Sequence, residues 1–413
     1  MAYQPNEQQA RAINDFASDL LVSAGAGTGK TSVLTKKYLK LLEERRAEVH
    51  QIVAITFTKK AAAEMSSRIQ ASIREHYEQA VEPADVEFWR AQLKKVENAR
   101  IATFHSLCLG LIREYPVEAG LPPATGVLDD GEESLLLNET IATVLAEGIN
   151  STAWDHALLS QMLFEYGWDA FTYSLAEVYR AVRESGNSIP AVIGLSLAGL
   201  EQAVAANPVQ IDTLVTEVED FLNFAQSQKK LTDRALTLLG TFRRNWPEWR
   251  ARLEQSLALD AQMATLNRIK KALPKNLPVC LKDRIEEIYG LTDAIGAKRL
   301  DQEAGARVSL IGAVLEEIYR RFTTTKLETG LLDFTDQQLL ARDLLKNNSE
   351  LAEEIRQGIR YIMVDEFQDT NSLQLELIDL LTGTGYPEGR LMAVGDIKQS
   401  IYRFRGAEAG VIL

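Results

Sequence analysis

Three glycines, a lysine and two threonines crowd the segment SAGAGTGKTS, residues 23–32. Gly25, Gly27 and Gly29 permit backbone angles that turn several N–H groups toward one anion, and a helix starting just after them adds its partial positive charge. Lys30 can then reach the outer phosphates of a nucleoside triphosphate, and Thr31 can ligate Mg²⁺. The match is of the A-x-x-G-x-G-K-T kind, with Ala24 where the commoner pattern has its first glycine. A second reactive pair, Asp365 and Glu366, ends the apolar run in YIMVDEFQDT. One carboxylate suits a metal ion, often through water, and the other suits orienting or deprotonating an attacking water. By itself an acidic pair at a strand end is often only a helix cap; joined to a phosphate loop in the same sheet it becomes a specific signal. The loop leaves the work open, since kinases, GTPases, transporters and motors share it.

These side chains need strands to carry them and helices to back them. DLLVSA precedes the loop as a buried strand, and TSVLTKKYLKLLEE follows it with Leu34, Tyr38, Leu41 and Leu42 at helical spacing. QIVAITFT precedes a helix with Met65, Ile69 and Ile73 on one face, and RIATF precedes HSLCLGLIREY. The rhythm resumes near the end, with YIMVDE before SLQLELIDLL and then RLMAVGD. Strands alternating with helices predict a parallel sheet covered by helices. Between the two halves lie roughly 200 residues of almost wholly helical pattern, from GLPPATG to FTTTKLETG. The expected fold class is therefore α/β, a phosphate-loop parallel sheet interrupted by a large all-helical insertion. Its expected parts are 1–120 and 327–413 for the sheet domain and 121–326 for the insertion.

A chain of 413 residues, 46% of them hydrophobic, can bury a large core. No uninterrupted apolar run of spanning length occurs and no basic-then-apolar leader precedes the first strand, so a cytoplasmic protein with no membrane partner is expected. Cys108 and Cys280 are too few for a disulfide framework, a four-cysteine zinc site or an iron–sulfur cluster. The net charge of −13 argues against a protein that coats nucleic acid nonspecifically. The average hides an asymmetry: between Glu114 and Gln228 the only Lys or Arg residues are Arg180 and Arg183, whereas Lys229 to Arg299 holds Lys229, Lys230, Arg243, Arg244, Arg268, Lys270, Lys271 and Lys275 among others. A basic block of this kind can lie against phosphates even in an acidic molecule.

Seven stretches in order, NEQQARAI, AGAGTGKT, ITFTKKAAAEM, ATFHSLC, LLDFTD, VDEFQDT and VGDIKQSIYRFRGAE, resemble the superfamily 1 DNA helicases of the UvrD, RecB and AddA type. They cover most of residues 5–116 and 327–408, and the last stretch and the long insertion lie closer to the RecB and AddA branch. The resemblance implies a RecA-like sheet and an ATP-dependent DNA helicase, translocating 3′ to 5′ in recombination and DNA repair, with ATP and Mg²⁺ as cofactors. Gln9 would read the adenine edge, although its residue type also fits a plain helix start. Ala24, Gly25, Ala26, Gly27, Thr28, Gly29, Lys30, Thr31 and Ser32 would cradle the nucleotide. Thr31 and Asp365 would hold the metal, and Lys30, Asp365, Glu366 and Gln399 would serve catalysis, Gln399 by sensing the γ-phosphate. An amide can both donate and accept, so its partners can change when the phosphate leaves.

The same resemblance puts Phe57 and Phe404 against the bases of single-stranded DNA, where stacking ignores sequence. Phe404 stands where the UvrD branch often has Trp and offers a smaller surface. Thr56, Thr58, His105 and Tyr402 are further track candidates, being short hydroxyls, a phenol and an imidazole able to bond phosphate oxygens. Expected partners are single-stranded and tailed duplex DNA, with a second helicase-nuclease subunit if the branch is RecB or AddA. Nothing after RGAEAGVIL accommodates a second RecA-like domain or a nuclease domain, so the chain is expected to correspond to the N-terminal portion of such an enzyme. Lacking arginines from a second domain, it is expected to bind nucleotide with weak turnover. The alternative from another class is a non-motor, ATP-dependent switch for a DNA or protein contact; an ABC-type ATPase is disfavoured because no LSGGQ-like signature occurs.

Overall fold

The computed structural model describes residues 5–25, 29–122, 125–228, 231–256, 259–273, 279–383 and 389–396. Among the described residues, seven strands run β1 Leu20–Ser23, β2 Ile52–Thr56, β3 Arg100–Thr103, β4 Gly126–Val127, β5 Leu331–Leu332, β6 Tyr361–Val364 and β7 Leu391–Gly395. Five form one sheet in the order β1-β7-β6-β2-β3, every adjacent pair parallel. All five C-terminal ends therefore lie along one edge, where open α/β sheets bind their ligands.

Alternation of side chains explains how the sheet is covered on both faces. From β2 and β6, Ile52, Ala54, Tyr361 and Met363 point into a cluster with Leu34, Tyr38, Leu41, Met65, Ile69 and Ile73. Val53, Ile55, Ile362 and Val364 point the other way, into a cluster with Phe104, Leu107, Leu111, Ala341, Leu344 and Leu377. Every residue of β2 and β6 is buried, as expected of central parallel strands. At the far end of β1 and β7, Asp19 Oδ1 accepts from the N–H groups of Gly389, Arg390 and Leu391 at 3.0, 3.1 and 2.9 Å.

The short strands β4 and β5 pair with each other, Gly126 opposite Leu331 and Val127 opposite Leu332. The long excursion from 128 to 330 thus leaves and returns at adjacent points. A Cβ on Gly126 would lie 2.9 Å from Leu331 Cδ2, so a larger residue there would require the Leu331 side chain to shift.

Two compact units are distinguished. One comprises Met1–Thr143, Trp168–Ser188 and Ile318–Leu413, and the other Val144–Gly167 and Ile189–Glu317. Among the described residues the second unit is helical, with helices His156–Tyr166, Ile189–Ala206, Ile211–Ser227, Asp233–Gln255 and Leu259–Ala272, and helix Val279–Thr329 as far as Glu317. Its core holds Leu214, Phe221, Phe242, Trp246, Trp249, Ile269 and Ile288. Phe242 lies parallel to Trp246 and edge-on to Trp249, at centroid separations of 6.2 and 5.4 Å. Within Ile189–Ser227 one stretch is long and apolar enough to cross a membrane by length and composition alone. Ser196, Glu201 and Gln202 interrupt the apolar run there, which is why the uninterrupted-run criterion passes it over.

Candidate nucleotide site and nucleic-acid cleft

The C-terminal end of β1 turns through the glycine-rich loop into helix Lys30–Glu43. The loop start is tied to the sheet by the Ala24 N–H donating to the Gly395 carbonyl at 2.9 Å. Gly29 sits at φ +84°, a left-handed conformation suited to glycine, and helix Lys30–Glu43 begins with no side-chain cap on its first turn. First-turn N–H groups therefore point toward the loop, the arrangement that holds phosphate. Ala26, Gly27 and Thr28 lie outside the described residues.

Two strands away, β6 ends at Asp365 and Glu366. Lys30, 9% exposed, places Nζ 2.5 Å from Glu366 Oε2, and Thr31 Oγ1 donates to Asp365 Oδ2 at 3.0 Å. The fold thus brings together the two sequence-predicted pairs, more than 300 residues apart in the chain. Glu366 is a non-glycine residue at φ +51°, a costly conformation that persists only where its surroundings impose it. Its N–H donates to Asp365 Oδ1 at 3.0 Å, and its carboxylate is held by Lys30 and Gln368. Burial first, then the charge of Glu366, raises the Asp365 carboxyl above its ordinary range; the Thr31 hydroxyl and the Glu366 N–H oppose that rise. The donor set fits a triphosphate with a hard cation: a buried lysine paired, without ligand, to the carboxylate beside it, and a hydroxyl and buried carboxylate 3.0 Å apart. Gln9 is engaged in a reciprocal helix cap, its Oε1 accepting from the Asn6 N–H and its own N–H donating to Asn6 Oδ1, both at 2.9 Å. Gln399 lies outside the described residues.

The ends of β2 and β3 open on a cleft of about 600 Å³ lined by Thr56, Phe57, His105, Phe334 and Asn371 among others. Phe57 is half-buried and joins neither cluster that covers the sheet. His105 stacks at a tilt on Phe334, their rings 5.0 Å apart. Thr56 is buried and donates its hydroxyl to the Thr58 carbonyl at 3.2 Å, while Thr58 Oγ1 caps helix Lys59–Gln79 by accepting from Ala61 N–H at 3.1 Å. Both hydroxyls thus have structural bonds that the sequence reading did not foresee. Tyr402 and Phe404 lie outside the described residues. Elsewhere in the lining Glu133 and Glu177 both pair with Arg180.

Phe334 was not among the sequence-predicted track residues, and its support was equally illegible. Lys326, 2% exposed, places Nζ 2.5 Å from both Asp333 Oδ2 and Asp336 Oδ2, and Arg183 pairs with Asp336. Asp333 and Asp336 form a reciprocal cap on helix Phe334–Asn347, Asp336 N–H donating to Asp333 Oδ1 at 2.6 Å. Burial alone would raise the Asp333 carboxyl, but Lys326, Arg183 and the Asp336 N–H outweigh it and hold it below the usual carboxylate range. A cluster of three buried charges and the half-buried Asp336 therefore fixes where the helix begins and seats Phe334 in the cleft.

A parallel sheet whose C-terminal edge joins a phosphate loop to an acidic pair, split by a helical excursion, defines a phosphate-loop nucleotide-binding protein with a RecA-like core. Residues 5–413 match the family described as UvrD/REP helicase N-terminal domain, and the chain belongs to it. The chain is 30% identical to an ATP-dependent helicase/nuclease subunit of Lactobacillus delbrueckii subsp. bulgaricus, over all of this chain and 37% of the relative. Proteins of the same name from Latilactobacillus sakei and Staphylococcus aureus are each 28% identical, over 98% of this chain and over 50% and 36% of their own lengths. The chain thus spans between about a third and a half of the curated relatives it matches. The resemblance read from the seven motifs is borne out across the chain.

Proposed function

We propose that this chain is the ATP- and DNA-binding portion of an ATP-dependent 3′–5′ DNA helicase of the helicase-nuclease type, acting in recombination and repair. The observation that carries the reading is the pairing of Lys30 with Glu366 and of Thr31 with Asp365 at one sheet edge. Lys30 binds the outer phosphates, the loop from Ala24 to Ser32 cradles them with the Ala24 N–H tying its start to the Gly395 carbonyl, and Glu366 orients the attacking water. Thr31 and Asp365 hold Mg²⁺, which when bound supplies neutralisation of the phosphate charge. Gln399 senses the γ-phosphate, and Gln9 meets the adenine through the amide end of its capped side chain.

Single-stranded DNA runs along the cleft, with Phe57, Phe334 and Phe404 stacking on bases and Thr58, His105 and Tyr402 near the backbone. The paired carboxylates of Glu133 and Glu177 in the lining suit bases rather than phosphates. Arg243, Arg244, Arg268 and Lys271 are exposed in the helical unit and supply a face for the duplex ahead of the strand. The layout of 1–120 and 327–413 as nucleotide domain and 121–326 as insertion accompanies this reading; the β4–β5 pairing near both bounds supports it, while segment 168–188 packs with the sheet unit. Because the relatives carry the name of one component of a larger enzyme, a second subunit is proposed as partner, and a bacterial cytoplasm as the location.

Titration of a fluorescent ATP analogue with Mg²⁺ against the purified chain tests the core of the proposal. Saturable binding that Lys30→Ala abolishes is expected, with turnover below that of a complete helicase. Absence of binding would overturn the reading.

A further inference from the structure

Gln368 sits at a junction that the proposed roles leave unused. It lies in the short 3-10 turn Phe367–Asp369 after β6 and is 3% exposed. Its Nε2 donates to Glu366 Oε2 at 2.8 Å and to Asp369 Oδ2 at 3.1 Å, and its Oε1 accepts from the Asp396 N–H at 2.8 Å. These partners belong to different parts of the machine. Glu366 is the carboxylate at the phosphate loop, Asp369 lines the nucleic-acid cleft, and Asp396 directly follows β7 and opens the segment that leads to Gln399. Space is reserved for the amide: a Cβ on Gly395 would come within 2.6 Å of Gln368 Oε1.

The oxygen that accepts from Gln368, Glu366 Oε2, is also the one that pairs with Lys30. Withdrawing the lysine toward a phosphate strips that oxygen of its cation, so it draws harder on the donor that remains. The two hydrogens of this Nε2 serve one carboxylate each, so a shift of the amide toward Glu366 lengthens its bond to Asp369. Asp369 is poised to respond, because its Oδ1 is buried with no hydrogen-bond partner among the described residues.

We propose that Gln368 is a positioning residue that couples occupancy of the nucleotide site to the grip of the cleft on single-stranded DNA. It does so by dividing one amide group between Glu366 and Asp369 while anchored to the end of β7. The inference rests on the ATP and DNA reading above and adds a link between the two sites. Allosteric coupling of this kind is a ratio of affinities, typically about 5- to 150-fold.

The test uses the 413-residue chain, a fluorescein-labelled oligothymidylate, and anisotropy with and without a non-hydrolysable ATP analogue and Mg²⁺. For the unsubstituted chain the two DNA dissociation constants should differ about five-fold or more. Gln368→Met keeps the length and removes the hydrogen bonds, and the ratio should fall to within about two-fold. Asp369→Ala attacks the link from the half-exposed cleft side and should reduce the ratio likewise. Loss of packing alone would lower the melting temperature and leave the ratio intact, so an unchanged ratio in the folded variants overturns the inference, as does a ratio of one in the unsubstituted chain. Failure of that chain to bind the analogue or the oligonucleotide at all instead overturns the functional reading beneath it. If Gln368→Met does not fold, Asp369→Ala decides the matter alone.

Discussion

Replacing Lys326 with methionine keeps the side chain's length and removes its charge from a site that water scarcely reaches. Lys326 is 2% exposed and bridges Asp333 and Asp336 at 2.5 Å each. Removing one partner of a buried ion pair costs about 3–5 kcal/mol, because the other charge is left uncompensated. Arg183 still pairs with Asp336, which places the expected loss near the lower end, about 3 kcal/mol. Asp333 loses its nearest cation and keeps only the charge of Arg183 and the Asp336 N–H against its burial. The sign with pH follows. In the unsubstituted chain Asp333 is held below its ordinary range, so its contribution is present above its unfolded value and is lost as pH falls through the folded one. In Lys326→Met the carboxyl rises from that depressed value because its nearest cation is gone, so the penalty is full near neutrality and shrinks as acid protonates Asp333. Urea unfolding of both proteins at pH 7 and at pH 4.5 measures this, and the difference between them should be larger at pH 7. The double variant Lys326→Met/Asp333→Asn should recover part of the loss at pH 7. An equal loss at both pH values, or no recovery in the double variant, would refute the account of the cluster as an ion pair sustained against burial.

Phe57→Ala should cost well under the 3–5 kcal/mol of a core phenylalanine and about 1–3 kcal/mol of single-strand affinity, read by unfolding and by anisotropy; a large stability loss with intact binding would return the ring to the core. Reversing Arg268 and Lys271 to Glu should weaken binding of a tailed duplex more than of a short single strand, since both are exposed whereas Lys270 is occupied by Asp293 at 2.5 Å; equal losses would count against a duplex face. Burial pushes the Cys108 thiol up to about 12, so it should resist iodoacetamide in the native chain and react on unfolding, and stability should decline as pH rises above about 9, where the unfolded thiol ionises first. Peptide mapping after alkylation checks the first point and unfolding at pH 8 and 10 the second; the Cys280 side chain lies outside what is described.

What was legible in the chain is what depends on neighbours in sequence. Leu34, Tyr38, Leu41 and Leu42 are all buried on one helix, as are Met65, Ile69 and Ile73 on another, because a 3.6-residue period is a local property. Lys30 and Thr31 could be matched across the chain with Glu366 and Asp365 because each motif carries its own chemistry and the parallel rhythm puts both at one sheet edge. Partners chosen by tertiary proximity were not legible. Nothing around Lys326 distinguishes it from a solvated helix lysine, yet its ammonium is buried between two carboxylates. Gln368 reads as a spacer between acidic residues until β7 arrives beside it. Gln9 shows the converse, since the residue type that suits adenine also suits a capping box, and its local bond was the nearer one. The four residues of β4 and β5 are too few to stand out from the helical pattern around them.

The strand that launches the phosphate loop is also the one that must wait longest. Within the described sheet β1 lies at the edge and pairs only with β7, Leu20 opposite Met392, so its partner is about 370 residues away. At a synthesis rate of about 5–20 residues per second, β1 leaves the ribosome some 20–70 seconds before β7 exists. During that interval its hydrogen-bonding edge has no native mate, the Ala24 N–H has no Gly395 carbonyl to reach, and Lys30 awaits Glu366. The nucleotide pocket is therefore among the last features a nascent chain can complete, although its first residues are among the first made. A ribosome stalled before Leu391 should hold a chain whose helical unit has already gained its core and which cannot yet bind ATP.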